Sequence, residues 1–142
     1  MANFVVDASV TLSWCFEDEA TAWSDELLDR LRAGDRIAVP AHWPTEVSNG
    51  LVMGLRRQRI QPGRPNLFWD ELAVLPIDVE LPLTSTQAKL VMAMAEQLGL
   101  TVYDAAYLEL AHRRDLPIAT LDSALLGVAS RAGVDLIAAA KP

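Results

Sequence analysis

The chain has 142 residues, of which 51% are hydrophobic and 22% charged, so it has the length and composition of one globular domain and is far from disorder. No apolar run approaches the ~20 residues of a membrane span and no leader pattern opens the chain, so a cytoplasmic protein without membrane contact is expected. Cys15 is the single cysteine, which rules out an internal disulfide or a cysteine metal centre, and a net charge of −7 argues against holding a polyanion by the field of the whole molecule.

Phe4-Val5-Val6 is a short apolar run of the kind buried on both faces of a sheet, and it ends in Asp7. Val10 to Glu17 predicts a short helix, where Cys15 between Trp14 and Phe16 reads as a buried thiol. Glu19 to Arg32 predicts a longer helix, with Trp23, Leu27, Leu28 and Leu31 at helical spacing and Gly34 as its stop. Arg36 to Pro40 predicts a second strand. His42-Trp43-Pro44-Thr45-Glu46 opens a helix striped by Val47, Leu51 and Leu55, which runs into Arg56, Arg57 and Arg59. Asn66 to Ala73 predicts another helix and Val74 to Val79 a strand. Thr84 or Ser85 caps a helix that ends at Leu98-Gly99. Asp104 to Arg113 predicts a helix, Leu116 to Leu121 a strand, and Asp122 to Gly133 a final helix. Val134 to Ala139 predicts an edge strand. Strands alternating with helices imply an α/β fold in three layers, with a parallel sheet covered on both faces by right-handed crossovers, in one domain over residues 1–142.

Asp7, Glu46, Asp104 and Asp122 each stand at a strand end or a helix start. Each has an ordinary explanation: Asp is a preferred N-cap, and acids in a first helical turn complement the dipole. In a parallel sheet, however, all four positions fall on one edge. Carboxylates that share a cleft repel one another unless a cation is present. Hard oxygen donors in that number suit Mg²⁺ or Mn²⁺, and such centres hydrolyse phosphodiesters through acidified water.

Four segments carry a resemblance: Val5-Val6-Asp7-Ala8-Ser9, Pro44-Thr45-Glu46-Val47-Ser48-Asn49, Tyr103-Asp104-Ala105-Ala106-Tyr107-Leu108 and Thr120-Leu121-Asp122. In this order they resemble the signature segments of PIN-domain ribonucleases, and most of all the VapC-type toxins of type II toxin–antitoxin pairs. The resemblance implies an α/β/α sandwich with a mainly parallel five-stranded sheet. It also implies an endoribonuclease that leaves 5′-phosphates, with one or two Mg²⁺ or Mn²⁺ ions held by Asp7, Glu46, Asp104 and Asp122. Ser9 and Thr120 are then polar supports beside the acids. The implied partners are the RNA substrate, a cognate antitoxin and a second copy of the chain, as a homodimer or a dimer of toxin–antitoxin pairs.

Asn49 lies one turn after Glu46 and could bond it or a phosphate; it could equally face water. Arg56, Arg57, Arg59 and Arg64 are the one dense basic cluster, readable as a guide for the RNA backbone or as a solvated helix end. Trp14 and Trp23 read as core, whereas Trp43 and Trp69 could lie at a cleft mouth or a subunit interface. His42 and His112 read as structural or exposed. They frame the rival mechanism, metal-free acid–base cleavage through the RNA 2′-OH. A phospho-acceptor domain is disfavoured because no second Asp follows Asp7 by two residues; a non-catalytic binding domain, with the acids serving only as caps, is the remaining alternative.

Overall fold

Phe4, Val5 and Val6 are fully buried, so β1 (Phe4–Val6) lies inside a sheet covered on both faces, as its unbroken apolar sequence requires. The computed structural model describes residues 1–138. Its sheet has the order β3-β2-β1-β4 with every pair parallel, where β2 is Ile37–Val39, β3 is Ile77–Val79 and β4 is Ile118–Ala119. Val5 pairs with Ala38 on one side and Ile118 on the other. Parallel neighbours require long crossovers, and helices supply them. The first crossover carries α1 (Ala8–Ser13), a 3-10 turn (Glu17–Glu19) and α2 (Ala22–Arg32); the second carries α3 (Trp43–Arg56) and α4 (Arg64–Ala73). The third carries α5 (Ser85–Leu98) and α6 (Val102–Arg113); α7 (Ser123–Val128) and a 3-10 turn (Ala129–Ala132) follow β4.

This order sets the switch point of the sheet. From β1 the chain winds outward through β2 to β3, then crosses back to place β4 on the other side of β1. The carboxyl ends of β1 and β4 therefore flank a topological switch point, the usual position of a site in an open α/β sheet. Asp7 follows β1 directly, and Thr120 follows β4.

The sheet has four strands among the described residues where five were expected. Residues 134–138 contribute one parallel bridge, Ile118 to Leu136, with Ile118 N donating to Asp135 O and Ile137 N to Ile118 O, each at 2.9 Å. β4 is only two residues long, because the chain turns at Thr120 into the site, so it offers too short a ladder to extend an edge strand. Ala139, the last residue of the expected strand, lies outside the described residues.

Local chemistry sets the helix ends. Asp7 caps α1, which starts at Ala8 and not Val10 and ends by Ser13. Thr21 and Ser24 form a reciprocal capping box, so α2 starts only at Ala22 and the acids before it form a separate turn. Thr101 caps α6, which starts at Val102, two residues sooner than expected. α5 runs from its Thr84 cap to Gly99, whose φ of 67° is the left-handed stop that glycine supplies most easily. α3 crosses α1 through Gly50 and Gly54: a Cβ on Gly50 would meet Leu12 Cδ1 at 2.5 Å, and one on Gly54 would meet Phe16 Cζ at 2.5 Å.

Candidate active site

Asp7 is the most buried of the four acids, with 4% of its surface exposed. Its Oδ1 accepts from Ser9 Oγ at 2.5 Å and from Val10 N at 3.3 Å, and its Oδ2 accepts from Thr120 Oγ1 at 2.6 Å. The two hydroxyls also tie the loops together. Ser9 Oγ accepts from Leu121 N, and Thr120 Oγ1 accepts from Asp122 N, each at 3.0 Å. Burial raises the Asp7 pKa from 3.8 to about 6; the hydroxyls and Val10 N–H oppose this, and the nearby charge of Asp122 adds to it.

Asp122 begins the next helix, its Oδ1 accepting from Ala124 N at 2.7 Å and Leu125 N at 3.4 Å. Asp104 stands in the first turn of α6, its pKa raised by burial and then by the charges of Asp122 and Glu46, against the Thr101 hydroxyl and His42. Glu46, in the first turn of α3, accepts from Tyr107 OH at 2.9 Å on Oε1. His42 Nε2 lies 2.8 Å from the same oxygen, but without the alignment of a hydrogen bond. The His42 ring packs edge-on against Tyr103 and Tyr107, with centroids 5.5 and 5.2 Å apart.

Asp7 is thus coupled to Asp122, Asp122 to Asp104, and Asp104 to Glu46. The four acids form a continuous series of mutually repelling carboxylates at the switch point. Among the described residues no three His, Cys, Asp or Glu side chains stand close enough to chelate one ion as they are. Two of the acids, Asp7 and Asp122, are turned onto the backbone N–H groups of the helices they cap. The donor set nonetheless suits a hard divalent ion, which would relieve the charge penalty that lifts Asp7 and Asp104.

The family model of the PIN domain matches residues 4–130. The chain belongs to the PIN-domain family. PIN domains are typically metal-dependent nucleases, generally using Mg²⁺ or Mn²⁺. Among solved structures, the crystal structure of PAE2754 from Pyrobaculum aerophilum is similar, with a TM-score of 0.69 and 20% identity over 93% of this chain and 96% of that one. At that identity the likeness speaks for the fold. No curated protein matches the chain in sequence.

On this PIN scaffold the other sequence-stated candidates separate. Ser9 and Thr120 stand at the acids. Asn49 is exposed on α3, one turn beyond Glu46. The arginines lie at the opposite end of α3: from Glu46 to Arg56 is about 15 Å along the helix at ~1.5 Å per residue. Arg59 Nη2 pairs with Asp18 at 2.8 Å and Glu19 at 2.9 Å while its guanidinium covers the Phe16 ring. Arg64 forks onto Glu71 at 3.0 and 3.3 Å. Arg56 and Arg57 are exposed. Trp43 is neither at a cleft mouth nor on the surface; it is 2% exposed, its Nε1 donating to Thr11 Oγ1 at 3.0 Å and its ring meeting Trp69 edge-on. His112 is exposed at the far end of α6. Sequence reasoning gave Tyr107 no role and read His42 as structural or exposed, so the contact each makes with Glu46 was not foreseen. The signal was present as two i,i+4 pairs, His42 with Glu46 and Tyr103 with Tyr107, and in the fold the His42 ring meets both tyrosines.

Proposed function

We propose that the chain is an Mg²⁺- or Mn²⁺-dependent endoribonuclease and the toxin of a type II toxin–antitoxin pair, acting in the cytoplasm. The observation that carries the nuclease reading is the series Asp7, Asp122, Asp104 and Glu46 at the carboxyl edge of a parallel sheet, with Asp7 and Asp104 lifted by burial and by their acidic neighbours. The toxin reading, the antitoxin partner and a homodimer or a dimer of pairs rest on the likeness of the four sequence segments to VapC-type toxins.

Asp7, Glu46, Asp104 and Asp122 would hold one or two ions. A divalent ion bound there supplies Lewis acidity, acidifying water at neutral pH and drawing charge off the phosphoryl group. The protein's part is positional. Ser9 and Thr120 fix both oxygens of Asp7, and Thr120 at the same time holds the Asp122 backbone. Fixing a carboxylate in advance removes side-chain entropy that the site would otherwise lose on binding.

The test is cleavage of a mixed RNA pool by purified protein with Mg²⁺ or Mn²⁺, with EDTA and Asp104→Asn as controls and product ends mapped. Metal-dependent cuts with 5′-phosphates, lost in both controls, are expected. One rival has a specific observation behind it, the imidazole of His42 beside Glu46. Acid–base cleavage through the 2′-OH leaves a cyclic or 3′-phosphate and survives EDTA, and that outcome would replace the metal mechanism.

A further inference from the structure

Tyr107 lies three residues after Asp104 on α6, so the two share one side of the helix. Its side chain is 1% exposed, yet it carries a hydroxyl into the interior. A buried phenol needs a partner, and this one donates to Glu46 Oε1 at 2.9 Å across 61 positions of sequence. The Glu46 side chain itself is 35% exposed and would otherwise sample several rotamers. His42 Nε2 lies against the same oxygen without an aligned hydrogen bond, so Tyr107 is the directional donor of the pair. Both contacts fall on Oε1, and among the described residues Oε2 is left free for a ligand.

We infer that Tyr107 is a positioning residue for the carboxylate centre: its buried hydroxyl holds Glu46 by Oε1, fixes the side chain's rotamer and leaves Oε2 for a divalent ion. This inference rests on the carboxylate-centre reading given above. Tyr107 acts through Glu46 and touches neither ion nor RNA. Partners of metal ligands behave in this way generally, and their loss costs about 10–100-fold in metal affinity or activity.

The experiment is calorimetric titration of Mn²⁺ into metal-free protein, without RNA, for the wild type, Tyr107→Phe, Glu46→Gln and the double variant. Phe keeps the ring and removes only the hydroxyl. Tyr107→Phe is expected to weaken Mn²⁺ binding by roughly 10-fold or more. In the Glu46→Gln background the same change is expected to have no further effect, because the group through which Tyr107 acts has lost its charge. Thermal unfolding of all four proteins accompanies the titrations. Equal Mn²⁺ affinity for wild type and Tyr107→Phe overturns the assignment. So does an equal loss in both backgrounds, which marks a general packing effect. A wild type that binds no Mn²⁺ overturns the carboxylate centre itself, and the Tyr107 assignment with it. That outcome is distinct, because it is read before any variant is compared.

Discussion

Replacing Asp7 by Asn should make the metal-free protein more stable at pH 8 and less stable at pH 4. Asp7 titrates near pH 6 in the fold against 3.8 for the free side chain. The folded pKa is raised, so its contribution to stability is complete below pH 4 and is lost as pH rises through 6. With roughly 1.4 kcal/mol per pH unit, the ionised carboxylate costs the fold in EDTA about 3 kcal/mol at pH 8. Asn removes this charge at every pH and keeps the shape. It has its own cost, because the Thr120 hydroxyl now donates to Oδ2 at 2.6 Å while its oxygen accepts Asp122 N at 3.0 Å. An amide NH₂ in place of Oδ2 sets donor against donor, a loss of about 1 kcal/mol.

The net expectation is ~2 kcal/mol of stabilisation at pH 8, a rise in melting temperature on the order of 6 °C for a domain of this size, and ~1 kcal/mol of destabilisation at pH 4. Thermal unfolding of both proteins in EDTA at the two pH values measures it. Millimolar Mg²⁺ should raise the wild-type transition and narrow the gap at pH 8, since an ion that binds only the folded state stabilises it by mass action. An Asn variant that melts below the wild type by the same margin at both pH values would refute the reasoning. Asp7 would then be an ordinary cap with an ordinary pKa.

Asp122→Asn should leave stability within a few tenths of a kcal/mol, because Asn caps a helix as well as Asp, yet abolish cleavage; Asp122→Ala should cost ~1 kcal/mol as well as activity. Equal destabilisation of the two in urea unfolding would contradict the cap geometry. Gly54→Ala should destabilise by about 1–3 kcal/mol even after the gain in helix propensity, because its Cβ meets Phe16 Cζ at 2.5 Å and the Arg59 guanidinium sits over that ring, 4.2 Å from its centroid. Gly50→Ala meets only the flexible end of Leu12 and should cost less, an order that denaturant titration of the pair decides. Replacing Arg56 and Arg57 together by Ala should weaken RNA binding and its salt dependence while leaving Mn²⁺ affinity unchanged; filter binding at two salt concentrations checks this, and an unchanged RNA affinity removes them from the substrate path.

The acids were legible because the same chemistry that starts a helix also builds the site. Asp7 accepts Val10 N and Asp122 accepts Ala124 N, so the cap reading of each is correct. What the cap reading left out is the sheet order, which brings the starts of α1 and α7 together across the β1–β4 pair. Ser9 and Thr120 were found with them because they are sequence neighbours of the acids. The contacts of Tyr107 and His42 with Glu46 were not foreseen, since the one that Tyr107 makes spans 61 positions of sequence and exists only in the folded chain. Trp43 was misplaced for a related reason. A tryptophan at a strand–helix junction could face outward, and what turns it inward is Thr11 Oγ1 on α1, a polar partner that periodicity does not reveal. The fifth strand was overestimated because Val134 to Ala139 has strand composition, whereas edge pairing depends on the length of the neighbour, and β4 gives it one residue.

The acidic balance of the chain and the position of its arginines bear on one question, how an anionic substrate approaches a cluster of carboxylates. Of the four clustered arginines, Arg59 and Arg64 are already neutralised by Asp18, Glu19 and Glu71. Arg56 and Arg57 stand about 15 Å along the helix from Glu46, beyond a Debye length of roughly 8 Å at physiological salt, so their attraction is largely screened at the acids. A phosphodiester brought to the acids without metal therefore meets their repulsion, which a bound cation reverses. On the proposed reading, metal loading has to precede or accompany RNA binding at the acids. RNA affinity should then rise with Mn²⁺ in the Asp104→Glu variant, which retains a carboxylate, and far less in Asp104→Asn. An RNA affinity equal in EDTA and in Mn²⁺ would instead place the main grip at Arg56 and Arg57, with the carboxylates contributing nothing to binding.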